Sequence, residues 1–447
     1  MSSAATPLLL ATLAAWGGGP GDDAAHAPPP LEIDGLVGHP IDIESVSATF
    51  HFDHGARSAR ARAVMRFEVI GAGGMPLFDL RQEVERAWLD GEQLDPAALA
   101  AHEIGPQAGT MRILERELAG GETHELVLEY PLAEPSSPQA QGIGWSEDGL
   151  SWDTWFSDLN PGRYLEMWMP ANLLYDRHSV ELELRADGLP QPHELVTNAS
   201  IEVKGEHHWL LRFPANSTAF SPMVVLLPAD RVERSQTTER IAGRRFTIDV
   251  CRRLDAPGDL DRIHEQVADD LEEFIRNTGP WAHSDRVSVL IWRGGRSMEY
   301  DGATTSSIGA LRHELFHSWW GRGVKPATQN DGWFDEAWNV YFADREGPSP
   351  GRVKEGPPVE LCSSDPWNRI TARASYGAGS AFFARLAGEI GEKRLVKLMA
   401  DFYREHVHRP VTTAELEAHL AEGSRKPEAV RRLFHRYVYG REGAPQD

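Results

Sequence analysis

The 447-residue chain holds only two cysteines, Cys251 and Cys362, and they lack the close pairing of a structural zinc finger. A disulfide-stapled fold is excluded; the pair reads as free thiols, with a single disulfide as the alternative. No apolar run reaches the ~18 residues of a membrane-spanning helix. Positive charge is scarce as well: 45 Lys and Arg stand against 67 Asp and Glu, giving −22 with no basic stripe. That argues against nucleic acid and mildly favours cationic ligands such as free amines. No fixed-period repeat is evident, so solenoids and propellers fall away. Lys and Arg are missing altogether before Arg57, whereas a signal peptide normally opens with a basic region. The run 7–16 nevertheless has the length of a signal core, and Ala25-His26-Ala27 has the form of a cleavage site. The expectation is that 1–30 is signal-like or disordered and that the protein is exported, to the periplasm or beyond, with a cytoplasmic location as the alternative.

What is present is an ordinary globular balance, 41 % hydrophobic and 25 % charged, in a chain long enough for two or three domains. In 60–69, Ala61, Ala63, Met65, Phe67 and Val69 alternate with charged residues, and Val180, Leu182 and Leu184 do the same in 179–185. Both patterns predict half-buried strands of an antiparallel sheet. Runs 111–118 and 124–130 around Ala119-Gly120-Gly121-Glu122-Thr123 suggest a hairpin. The Pro/Gly/Ser-rich segment 132–163, with Trp145, Trp152, Trp155 and Phe156, reads as a long loop packed on the sheet. A polar, strand-poor stretch at 233–244 marks the expected boundary between a β domain (31–238) and a second domain (239–447).

Beyond it, Leu260, Ile263, Val267, Leu271, Phe274 and Ile275 recur at helical spacing, ending near Asn277-Thr278-Gly279-Pro280. A short strand follows at Val287, Val289, Ile291 and Trp292, and amphipathic helices are predicted over 376–388, 391–406, 413–421 and 426–438. Thr412 and Glu415 fit a capping box.

The chemistry concentrates in 313–336. His313 and His317 lie four apart with Glu314 beside the first. On a helix, whose start is expected at Thr304–Ser306, both imidazoles share one face about a turn apart. Such a pair can hold one tetrahedral zinc, with Glu314 as candidate general base. Eighteen residues separate His317 from Glu336, which lies in the helical stretch 333–343. It is the candidate third ligand, leaving the fourth position open as in catalytic sites. Tyr341 reads as packing, Asp335 as a possible partner for a ligand imidazole, and His406, His408 and His419 as surface histidines.

The flanks sharpen this. Trp319, Gly321, Val324, Pro326, Asp331, Trp333, Glu336 and Tyr341 resemble the zinc segment of the membrane alanyl aminopeptidase and leukotriene-A hydrolase family, the gluzincins, with Asp335 in place of Asn and Ala337 in place of Gly. The resemblance implies an α+β multidomain fold. An antiparallel β-saddle or sandwich would precede a thermolysin-like, mainly helical zinc peptidase domain, without the carboxyl-terminal helical-repeat domain of large members. It implies one Zn2+, held by His313, His317 and Glu336, with water activated through Glu314. Tyr376, opening Ser375-Tyr376-Gly377-Ala378-Gly379, matches the family's oxyanion-stabilising Tyr, although Ala378 replaces a Lys. Met298, Glu299 and Gly302 match the motif whose Glu binds a substrate's α-amine; Tyr300 replaces its Asn, and fewer residues than usual separate Glu299 from His313. The expectation is therefore a zinc aminopeptidase acting on peptides with a free N-terminus. A zinc endopeptidase, a peptidase like the glycyl aminopeptidases, and an inactive scaffold are the alternatives.

Overall fold

The structure, a computed structural model, describes residues 23–133, 142–294 and 297–442. The signal-core run 7–16 lies outside these residues. Asp23, upstream of the expected cut after Ala27, is buried and forms a 2.5 Å ion pair with Arg177.

The first part is built on a large twisted sheet. Along it run Ser200–Gly205, His208–Arg212, Ser179–Asp187, Leu36–Asp53, Ser58–Val69, Thr123–Pro131, Arg86–Leu89 and Glu92–Leu94. The alternation read in 60–69 is real: Ala61, Ala63, Met65, Phe67 and Val69 are buried, and Arg62, Val64, Arg66 and Glu68 lie between them on the more exposed face. Their strand pairs antiparallel with Leu36–Asp53 and with Thr123–Pro131. The sheet is mixed rather than purely antiparallel, because Ser179–Asp187 returns to lie parallel to Leu36–Asp53. A connection longer than a hundred residues allows this, whereas a hairpin would not.

The predicted hairpin does not form. Gly109–Ile113 pairs with Ala101–Gly105 and with Gly73–Phe78, while Thr123–Pro131 joins Ser58–Val69 and Arg86–Leu89. Two good strands beside a glycine turn found better partners elsewhere, which pairwise spacing cannot foresee. Nor is 132–163 a single loop: Gly144–Ser146 and Gly149–Asp153 join Val224–Pro228 and His193–Thr197 in a four-stranded sheet. This sheet stacks on the large one, as in a sandwich, through Trp152, whose ring lies 5.6 Å from Phe50 and 5.4 Å from Phe52.

The polar stretch at 233–244 is also strand. Val232–Ile241 pairs along its length with Arg244–Arg253, so the passage into the next sheet falls at Ala229–Arg231. That five-stranded sheet runs Val232–Ile241, Arg244–Arg253, Arg286–Ile291, Ala303–Ser306, Met298–Tyr300. Its central pairings are parallel, and helix α1 (Leu260–Asn277) supplies the first crossover. Ile248, Val250, Val287, Val289 and Ile291 face a helical core that includes Ile263, Val267, Leu271 and Phe274 of α1. Cys251 and Leu290, one residue out of phase, face the core of the β unit. Burial on both faces explains the unbroken run Val-Ser-Val-Leu-Ile. Cys251 and Cys362 are both free thiols.

Thr304–Ser306, expected to cap the zinc helix, lie instead in the strand Ala303–Ser306, where β-branched threonines fit a sheet. Helix α2 is short, Leu311–Phe316, and Ala310 precedes it without a side-chain cap. Helix α3, Trp333–Trp338, continues as a π turn over Asn339–Ala343. The remaining helices follow expectation: α4 (Ser380–Ile390, entered by a π turn at Ser375–Gly379), α5 (Glu392–His406), α6 (Thr413–Gly423, with the Thr412–Glu415 capping box) and α7 (Pro427–Tyr437). The two parts are tied by Arg369, whose guanidinium donates to Asp79 and Glu166 of the β unit at 2.7 Å each. Among the described residues no helix is long and apolar enough to cross a membrane.

Candidate metal centre and active site

Helices α2 and α3 pack so that His313, His317 and Glu336 converge. Glu336 Oε2 lies 3.2 Å from His313 Nε2 and 3.6 Å from His317 Nε2. Ligands on a tetrahedral zinc at ~2.0–2.1 Å stand roughly 3.3 Å apart, so these separations fit the ion without rearrangement. His317 is 1 % exposed, and its Nε2 has no hydrogen-bond partner. A buried imidazole nitrogen aimed at a carboxylate and a second imidazole is the donor arrangement a divalent cation satisfies. The electrostatics agree: burial pulls the His317 imidazole down, but Asp335, Glu299 and Glu336 outweigh it and push it up to about 10. The cluster draws positive charge.

Each candidate ligand imidazole is held from behind. His317 Nδ1 lies 2.5 Å from Asp335 Oδ1, so the carboxylate suggested by its adjacency to Glu336 is the one in contact. His313 Nδ1 lies 2.7 Å from Asp344 Oδ2. Asp344 was not anticipated; it ends the π turn, its N–H donating to the Asn339 carbonyl, and Asn339 Nδ2 donates to the His313 carbonyl. The extra residue of a π turn changes which side chain faces back toward α2, and no sequence signal announces it. Such carboxylates fix the ring orientation and leave Nε2 for the metal.

Close approach of the chain segments depends on two glycines. Gly321 has φ +97°, and a Cβ there would fall 1.9 Å from Asp335 Oδ2. A side chain at Gly379 would collide with Ala337 Cβ at 2.6 Å. Ala337, a departure from the resembled pattern, is thus accommodated by the missing side chain opposite.

Tyr376 lies at the same centre. Its hydroxyl donates to Glu336 Oε1 at 2.6 Å, and its ring stacks at 6.5 Å on His313. Glu314 is 6 % exposed and brings a carboxylate oxygen within 4.8 Å of Glu299 and His317 atoms. Burial pushes its carboxyl up to about 8, with Glu299 adding to the effect and His313 opposing it. Met298 and Glu299 sit in the edge strand Met298–Tyr300, both buried. Tyr300, in place of the pattern's Asn, is core: its ring lies 5.6 Å from Phe156. Tyr341 packs on Trp338 and Phe383.

Two more groups in the site were missed. Asp158, from the β unit's aromatic-rich segment, is pushed up by burial and by the nearby charges of Glu336 and Glu299. Arg322 Nη2 donates to Glu299 Oε1 at 2.7 Å. The first lay in a stretch read as a loop, the second at an unassigned position of the motif itself. His406, His408 and His419 stay outside the centre, but they are half-buried rather than superficial. They bond to the Phe402 carbonyl, Asn216 and the Leu398 carbonyl.

No family model and no curated protein matches the sequence. Solved structures do. An M1 zinc metallopeptidase of Deinococcus radiodurans superimposes with TM-score 0.66 at 16 % identity, over 91 % of this chain and 95 % of that one. A point mutant of the Deinococcus radiodurans M1 zinc metallopeptidase, bound to a Tyr-Ser-Ala substrate, gives 0.66 at 17 % identity with the same coverage. Legionella pneumophila aminopeptidase A in complex with aspartic acid gives 0.68 at 14 % identity, over 89 % of this chain and 49 % of its own. The chain has the two-part fold of the M1 zinc metallopeptidases, a sheet domain followed by a helical region. The likeness carried by residues 313–336 holds at the level of the whole architecture.

Proposed function

We propose that this protein is a zinc-dependent metallopeptidase that removes N-terminal residues from peptides. The observation that carries the reading is the convergence of His313, His317 and Glu336 at ligand separations, with Glu314 and Glu299 beside them. A bound zinc would supply Lewis-acid polarisation of the scissile carbonyl and of water. Glu314, buried at the same place, takes a proton from water and returns it to the leaving amine. Its upward-shifted carboxyl suits a group that must both accept and give a proton near neutrality. Tyr376 donates its hydroxyl to the developing oxyanion, exchanging its present bond to Glu336 for that one. Glu299, with Met298 beside it, places the substrate amine. The fold of the aminopeptidase neighbours supports the assignment.

The same reading takes residues 31–238 and 239–447 as the β and catalytic units, with the join moved to about residue 231 to keep the strand Val232–Ile241 whole. It takes the catalytic unit as thermolysin-like, and export as its location.

The test is hydrolysis of matched free and acetylated aminoacyl-fluorophores, before chelation, after it, and after zinc is restored, with zinc counted by atomic absorption. Zinc-restored cleavage of free-amine substrates alone supports the proposal. Equal cleavage of acetylated substrates points to an endopeptidase, and inactivity despite one bound zinc to a scaffold.

A further inference from the structure

The turn after α2 carries a buried cation at the centre of the site. Arg322 Nη2 donates to Glu299 Oε1 at 2.7 Å, with the two side chains only 4 % and 8 % exposed. Its Nη1 donates to the Gly321 carbonyl at 3.0 Å, and its backbone N–H donates to the His317 carbonyl at 3.1 Å. The guanidinium also lies 4.7 Å from the Phe220 ring of the β unit. One residue therefore ties a candidate metal ligand, the strand bearing the candidate amine anchor, and the neighbouring unit.

Glu299 needs such a partner. Its carboxylate oxygen lies within 4.8 Å of one from Glu314, and like charges at that separation repel strongly where water is excluded. A cation beside Glu299 offsets that repulsion, and Arg322 is the one in contact with it. A guanidinium suits the task better than an ammonium, because its planar fork fixes direction as well as charge and it never gives up its proton. Asp335, Asp301 and Asp158 add to the field that holds it charged.

We propose that Arg322 is a positioning residue for substrate selection: it holds Glu299 in place beside Glu314, so that the site takes peptides by their free α-amine. This rests on the aminopeptidase reading. It places selectivity for a free amine on a pair, Arg322 with Glu299, rather than on Glu299 alone.

The test is a double-mutant cycle on the full zinc-loaded protein. It compares wild type, Arg322→Met, Arg322→Lys, Glu299→Gln and Arg322→Met/Glu299→Gln, each checked for zinc content and melting temperature. The readouts are kcat and KM on a free-amine aminoacyl substrate, and inhibition by an amino-acid hydroxamate and by its N-acetyl form. Arg322→Met should lose about 10–100-fold in kcat/KM, as for a lost hydrogen bond to a charged group, and Arg322→Lys should recover part of it. The double variant should be no worse than Glu299→Gln alone. The free-amine hydroxamate should weaken by a similar factor while the acetylated one stays unmoved. Additive losses, or equal weakening of both hydroxamates, would overturn the proposal by showing a general structural role. If Arg322→Met does not fold, Arg322→Lys with and without Glu299→Gln carries the same comparison. A wild type that cleaves acetylated substrates equally well removes the aminopeptidase reading and this inference together; a selective wild type with an active Arg322→Met removes the inference alone.

Discussion

Asp344 offers the sharpest test of the site, because only the folded chain brings it to His313. Replacing it with alanine removes the acceptor that lies 2.7 Å from His313 Nδ1. Outer carboxylates of this kind typically account for about 10–100-fold in metal affinity, or ~1.4–2.7 kcal/mol. The structure places this one toward the lower end. The pair is partly open, with side chains 16 % and 18 % exposed, so water can replace the lost acceptor. The equivalent pair of His317 and Asp335 is 1 % and 8 % exposed and closer, at 2.5 Å. Asp335→Ala should therefore cost more than Asp344→Ala, toward 100-fold against about 10-fold. Asp344→Asn, which keeps an acceptor oxygen but no charge, should fall between Asp344→Ala and wild type. The assay is competition for zinc against a chromogenic chelator at fixed pH, with circular dichroism to confirm that each variant is folded. Unchanged affinity in folded Asp344→Ala would refute the claim that this carboxylate orients a ligand. A larger loss there than in Asp335→Ala would refute the argument from burial.

Four further outcomes follow. Glu314→Gln should retain one zinc yet lose at least ~100-fold in kcat, the usual share of a general base; retained turnover, measured with the fluorogenic substrates, would remove Glu314 from the mechanism. Tyr376→Phe should lose about 100–1,000-fold in kcat with KM little changed, as when an oxyanion donor is removed; a change confined to KM would assign it to binding. Burial, with Asp176, Asp23 and Glu68 nearby and His178 opposing, raises the Asp42 carboxyl to about 7. A carboxylate raised on folding stabilises the protonated state, so this contribution is full below about pH 4 and is lost as pH rises through about 7. Asp42→Asn should then melt higher than wild type at pH 8, by ~1–2 kcal/mol once its partial exposure is allowed for, and the two should converge near pH 4. A constant difference across that range would exclude titration as the cause. Burial pushes both the Cys251 and Cys362 thiols up to about 12; neither should react with iodoacetamide at pH 8 until urea unfolds the chain, as mass spectrometry would show.

Much of this was legible along the chain because it is local. His313 and His317 need only one helical turn to share a face, with Glu314 next to the first, and the strand 60–69 shows its buried side in every second letter. The capping box at Thr412 and the helices that follow need no partner to be recognised. Glu336 came from the spacing of a resembled pattern, which stands in for a helix–helix packing that no periodicity reports.

What the sequence left open depends on which segments meet. The run 111–118 is continuous strand only as far as Ile113 and the run 124–130 is strand as read, yet each pairs elsewhere, since a register is chosen by competition among all available edges. The polar letters of 233–241 looked like a linker because that strand faces water along much of its length; its partner Arg244–Arg253, not its own residues, makes it a strand. Asp344, Asp158 and Arg322 act on His313, Glu336 and Glu299 across distances in the chain that carry no period. Sequence alone thus determined the histidine pair, its candidate base and the order of helices, because short-range backbone geometry ties those residues together, whereas Glu336 was reached only through the resembled pattern. The tertiary fold alone decided that Asp344 joins Asp335 behind the histidines and which cation holds Glu299, because burial and charge act through space rather than along the chain.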